Sequence, residues 1–199
     1  MASYTYDQGS ADQAEPFLRD FLQLVVNDTG AKSVSIIAHS MGNELVLRVL
    51  QYLKSRTPDG VKISQVILAA PDVDRDKFEN IAQEIQGLAK GVTLYAAAND
   101  RALMVSRRFH GGVPRAGDVP ETGPMVVPGV DTIDVTEVST ESLGLNHSSY
   151  AEKNALLNDI GLLIQTGEPP NLRVPILEPM STAKGAYWRY PPVTGSINR

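Results

Sequence analysis

A serine hydroxyl becomes a useful nucleophile only when it is held still, with a base within hydrogen-bond reach and an acid orienting that base. Ser40, in the run Ala38-His39-Ser40-Met41-Gly42, is framed for this role. Small residues two positions before and two after a serine let the chain turn sharply there. Gly42 supplies one, and Ala38 the other, although alanine is less permissive than glycine. An apolar run, Ile36-Ile37-Ala38, leads into the turn, and an amphipathic run leaves it. That context predicts a strand, a tight bend and a helix, with Ser40 on the helix N-terminus. Free amides and the helix dipole favour negative charge at such a place. The amide of Met41, next in the chain, is the expected donor to a developing oxyanion.

The base has to be a histidine, and the chain has 3. His39 adjoins the serine, but neighbouring side chains on an extended strand point to opposite faces. His110 falls in a glycine- and proline-rich stretch, His110 to Val130. His147, in "STESLGLNHSSY", follows the last expected strand and is the candidate base. The acid is expected between serine and histidine in the chain. Asp100, in "LYAAANDRAL", sits at the tip of a predicted strand and is the first choice; Asp72 and Asp74, in "AAPDVD", compete at the tip of another. His39, His110 and Arg115 are candidates for the substrate rim, and Arg107 and Arg108 lie in the same region. No i, i+4 ligand pair supports a metal site, and no cofactor is expected.

These residues need elements to hold them. Residues Met1 to Ser10 read as a loop. Phe17, Leu18, Phe21, Leu22 and Val25 predict a helix from about Asp12 to Val26, with Pro16 in its first turn. Strands are expected at Ser33 to Ala38, Ile63 to Ala70, Val92 to Ala98 and Thr132 to Val138. Helices are expected at Asn43 to Ser55, Asp76 to Ala89, Tyr150 to Ile164 and, in short form, Arg101 to Phe109. Alternating strands and helices imply an α/β, three-layer sandwich with a mostly parallel sheet of about four core strands. Ligands gather at the carboxyl ends of such strands, where Ser40, Asp72, Asp100 and the segment toward His147 all fall. Residues 1–166 read as one domain and 167–199 as a proline-rich C-terminal tail.

The blocks "IIAHSMGN", "ILAAPDVD", "LYAAANDRAL", "HGGVPRAGD", "DTIDVT" and "NHSSY" occur in this order. Together they resemble a bacterial α/β-hydrolase family, an esterase/lipase-like domain of unknown function, over about Tyr4 to Pro170. The resemblance implies Ser40 as nucleophile, Asp100 as acid and His147 as base. Asn146 stands where the family more often carries glycine. It also implies a partial fold: the four expected strands match the later half of the usual sheet. The strand whose loop gives the second oxyanion donor would then precede Met1. Without it, the strand at Ser33 to Ala38 becomes an apolar sheet edge, open to self-association.

Composition removes several other classes. The net charge is -5, and no cluster of lysine and arginine offers a nucleic-acid footprint. There are no cysteines, hence no thiol nucleophile and no disulfide. No apolar run reaches the roughly 18 residues of a membrane span. The first residues lack the pattern of a signal peptide, so the chain as written reads as cytoplasmic. The expected function is cleavage of a small ester-like substrate through a Ser-His-Asp triad. The alternative is a catalytically idle hydrolase remnant acting as a binding or self-associating module.

Overall fold

The computed structural model of the chain describes residues 2–56, 63–98, 103, 106, 111–138, 150–173 and 177–191. In chain order its elements are α1 (Ala2–Asn27), β1 (Val34–His39), α2 (Gly42–Lys54), β2 (Ile63–Ala69), α3 (Arg75–Glu84), β3 (Ala89–Ala96), β4 (Asp131–Asp134), α4 (Tyr150–Thr166), β5 (Glu178–Thr182) and β6 (Gly185–Arg189). The strands form a six-stranded sheet in the order β1-β2-β3-β4-β6-β5. All pairs are parallel except the β5–β6 hairpin. This is an α/β architecture with a mostly parallel sheet, as the alternation of strands and helices implies.

β2 shows why the sheet is parallel and central. Its sequence, ISQVILA, is buried at every position but one, as a strand covered on both faces must be. One face packs Val66 and Leu68 against α2 and α3, through Val46, Leu50, Phe78 and Ile81. The other packs Ile67 with Tyr95, Ile133 and the α4 residues Leu156 and Leu163. α2 lies between α1 and α3, so the helix layer follows the strand order. α3 starts where the Asp74 carboxylate accepts from the amides of Asp76 and Lys77, at 3.0 and 3.1 Å, satisfying donors the helix cannot satisfy itself.

Three expectations change. Helix α1 begins at Ala2, so Ala2 to Ser10, expected as part of a loop, are helical and Pro16 lies inside the helix. Apolar periodicity marks only the part of a helix that packs, and says nothing about a polar extension beyond it. β4 ends at Asp134, not Val138. The Asp134 carboxylate accepts from the Thr136 amide at 2.9 Å, and this local turn competes with the ladder. The expected tail, 167–199, supplies two strands, which bring the sheet to six among the described residues where about four core strands were expected. Pro179 sits in β5, an edge strand, where proline removes no ladder donor that matters.

The tail is joined to the core by a buried ion pair. Arg173 Nε donates to Asp159 of α4 at 2.7 Å, with both side chains 0% exposed. The other carboxylate oxygen of Asp159 accepts from the Tyr95 hydroxyl of β3 at 2.6 Å. Burial, and then the charge of Asp159, push the Tyr95 phenol well above its ordinary range. Tyr190, just past β6, is raised for the same reasons. Breaking one side of such a pair costs about 3–5 kcal/mol, because the remaining charge stays buried.

Candidate functional site

The carboxyl ends of β1 and β2 form the candidate site. Ser40 follows β1 directly and has a φ of 51°, the left-handed region that side chains other than glycine's rarely enter. Such a conformation costs about 1–3 kcal/mol and persists only where its surroundings impose it. Here they do. The Ser40 amide donates to the Ala69 carbonyl of β2 at 3.1 Å. The Ser40 carbonyl accepts from the amides of Asn43 at 3.2 Å and Asp72 at 3.3 Å. The Asn43 side-chain amide donates to that same carbonyl at 2.8 Å and to the Ala69 carbonyl at 3.0 Å. Asn43 is fully buried. Its role was missed in the sequence, where it read only as the start of a helix; a polar residue directed into a buried turn was the available signal.

Ser40 itself is half-buried, and α2 begins two residues later. Met41 stands at the cap of α2 with φ −60° and ψ −26°. Among the described residues no group accepts the Met41 amide proton. A strained serine on a helix N-terminus with an uncommitted amide beside it can present a hydroxyl and hold an oxyanion. His39, the last residue of β1, is exposed.

A second strained residue lies next door. Ala70, which follows β2, has a φ of 44°, and its amide donates to the Tyr95 carbonyl at 2.9 Å. The chain then turns through Pro71 to Asp72. The Asp72 carboxylate is buried, and one of its oxygens accepts both from Arg115 Nε at 2.8 Å and from the Ser106 hydroxyl at 2.6 Å. Arg115 Nη2 donates to the Asp72 carbonyl at 3.2 Å. Arg115 is therefore not a solvated rim residue: it is 5% exposed and faces inward. The sequence placed it in a glycine-rich loop, but a buried carboxylate needs a charge partner, and Arg115 supplies it. Asp118 accepts from the Arg115 amide at 2.7 Å, and Arg75 Nη2 donates to the Asp118 carbonyl at 2.8 Å. Residues 115–118 are thus fixed over the end of β2.

Asp100, His110 and His147 lie outside the described residues. Ala98 precedes Asp100 at the carboxyl end of β3, its amide bonded to the Thr136 hydroxyl at 2.9 Å. Elsewhere, a cavity of about 290 Å³ lies between α3 and the β5–β6 turn, lined in part by Arg75, Glu79, Met125 and Lys184. Ser40 is not in its wall. Among the described residues no group of three or more metal-ligating side chains comes together, and no helix is long and apolar enough to cross a membrane.

A family model described as an alpha/beta hydrolase of unknown function (DUF900) matches residues 1–165. No curated protein and no solved structure matches the chain.

Proposed function

The chain belongs to DUF900, a family of α/β hydrolases of unknown function, and from that premise we propose that it is a serine hydrolase acting on a small carboxylic ester. The observation that carries this reading is the pairing, at the junction of β1 and α2, of the Ser40 hydroxyl with a Met41 amide that no group among the described residues accepts. Ser40 Oγ attacks the ester carbonyl as His147 takes its proton. Asp100 orients the imidazole, and the Met41 amide holds the oxyanion. The intermediate collapses to an acyl-enzyme as His147 delivers the proton to the leaving alcohol. A water molecule, deprotonated by His147, then attacks the acyl carbon; as the intermediate collapses and the acid leaves, His147 returns that proton to Ser40 Oγ. Asp72, whose Oδ1 accepts from Arg115 and Ser106, is the alternative acid.

A fluorophosphonate probe tests the assignment. The parent is expected to label, Ser40→Ala to stay blank, and His147→Ala to label far more slowly. Labelling that persists in folded Ser40→Ala refutes the nucleophile. A folded parent that never labels supports the idle module instead.

A further inference from the structure

The Ser40 carbonyl and the Met41 amide belong to one peptide group. A trans peptide is planar, so its N–H points away from its C=O. Whatever fixes the carbonyl therefore aims the amide, and that amide is the oxyanion donor of the serine-hydrolase reading. Three donors reach the carbonyl: the Asn43 side chain at 2.8 Å, the Asn43 amide at 3.2 Å and the Asp72 amide at 3.3 Å. The first two come from α2, the helix that follows the serine. The third comes from across the turn, from the segment after β2.

Arg115 grips Asp72 in two places. Its Nε donates to Asp72 Oδ1 at 2.8 Å and its Nη2 to the Asp72 carbonyl at 3.2 Å. The backbone of Arg115 is itself tied down. Its amide donates to the Asp118 carboxylate at 2.7 Å, and its carbonyl accepts from Arg75 Nε at 3.2 Å. The next residues run along the Asp72 segment: the Ala116 amide donates to the Val73 carbonyl at 2.8 Å, and the Gly117 amide to the Pro71 carbonyl at 3.0 Å. Arg115 is buried, so it acts through Asp72 and not on a substrate.

We propose that Arg115 is a positioning residue for the oxyanion donor: by fixing Asp72 it holds the Asp72 amide on the Ser40 carbonyl, and so sets the direction of the Met41 amide. The proposal rests on the serine-hydrolase reading and adds a residue to it. A lysine in its place keeps a positive charge beside Asp72 but has one nitrogen where the guanidinium uses two. The loss falls on the transition state, where the oxyanion forms, and lowers kcat without raising KM.

Turnover of p-nitrophenyl acetate tests this. Arg115→Lys is expected to lower kcat about tenfold, with the KM and the pH inflexion of the parent. The loss is smaller than the roughly 100- to 1,000-fold of a donor removed outright, because both Asn43 donors remain. The Arg173–Asp159 pair is the matched control, buried like Arg115–Asp72. Among the described residues the partners of Arg173 are Asp159 and the Glu168 carbonyl, and neither bonds Ser40 or Asp72. Arg173→Lys is expected to lose stability and keep the parental kcat. Should Arg115→Lys not fold, Ser106→Ala removes the 2.6 Å bond to the same Asp72 oxygen and is expected to lower kcat about threefold at constant KM. Parental kcat in folded Arg115→Lys, or in Ser106→Ala where that variant stands in, overturns the proposal alone. So does an equal loss of kcat in Arg173→Lys. A shifted pH inflexion in Arg115→Lys makes Asp72 the acid and overturns it too. A parent without turnover, or a folded Ser40→Ala with it, overturns the serine-hydrolase reading and the proposal together.

Discussion

Removing the side chain of Asn43 tests how the Ser40 turn is held. The Asn43 amide group donates to the Ser40 carbonyl at 2.8 Å and the Ala69 carbonyl at 3.0 Å. Neither carbonyl is stranded by Asn43→Ala, because each keeps a backbone donor: Asp72 and Asn43 amides for Ser40, the Ser40 amide for Ala69. The loss is therefore two net hydrogen bonds, at about 1 kcal/mol each. A small cavity adds to the cost. Removing Asn43 Oδ1, which has no partner among the described residues, offsets part of it. The balance is about 2 kcal/mol, comparable to the about 1–3 kcal/mol stored in a left-handed serine. The urea midpoint should fall accordingly, with the slope unchanged. Fluorophosphonate labelling should slow by about tenfold or more, since about 1.4 kcal/mol is a factor of ten in rate. Asn43→Asp keeps the shape but turns an acceptor toward two carbonyl oxygens, and should cost more than alanine. An Asn43→Ala protein with the parental midpoint and the parental labelling rate would show that this side chain does not hold the turn.

Gly117→Ala should lower the unfolding free energy by about 1–3 kcal/mol, read from the denaturant midpoint, because the new methyl group would sit 2.7 Å from the Ala70 carbonyl carbon and 2.8 Å from the Pro71 nitrogen, both backbone atoms. Burial raises the Asp131 carboxyl above its ordinary value, against the opposing pull of Arg173. The unfolded state therefore ionises first as pH rises, and the charge of Asp131 weighs against folding at neutral pH. Asp131→Asn should raise the denaturant midpoint at pH 7, and the gain should shrink as pH falls through the ordinary carboxylate range; a gain that is the same at pH 3 contradicts the assignment.

Much of the framework was legible because burial on both faces leaves a strong trace. IIAH and ISQVILA read as strands directly, and the Leu45 to Leu53 pattern read as α2. The small-residue frame around Ser40 located the bend before any coordinate did. What escaped was decided by partners distant in the chain. Arg115 reads as a loop cation until Asp72, forty-three residues earlier, is placed against it. β5 and β6 were hidden among prolines, and their place in the sheet depends on β4 and on the Arg173–Asp159 pair. Asn43 matters through two carbonyls that only the folded turn brings together. Spacing along a sequence reports local period, not which buried charge or carbonyl will need a partner.

Ala70 supplies an internal control for the meaning of the strain at Ser40. Both residues follow a parallel strand, both have φ near 50°, and both donate to the next strand of the sheet. Strain alone therefore does not mark a reacting group, since alanine has none to offer. The difference lies in what comes next. After Ala70 the chain runs through Pro71 to a carboxylate already bonded to Arg115 and Ser106, and the helix starts only at Arg75. After Ser40 the helix starts within two residues, and the intervening amide of Met41 has no acceptor among the described residues. A left-handed residue at one site redirects the chain; at the other it also leaves a hydroxyl and an uncommitted donor side by side at a helix N-terminus. That pairing, rather than the backbone angle, is what a nucleophile requires, and it is why disturbing Asn43 should slow the chemistry proposed for Ser40 while a comparable disturbance at Gly117 should register first in stability.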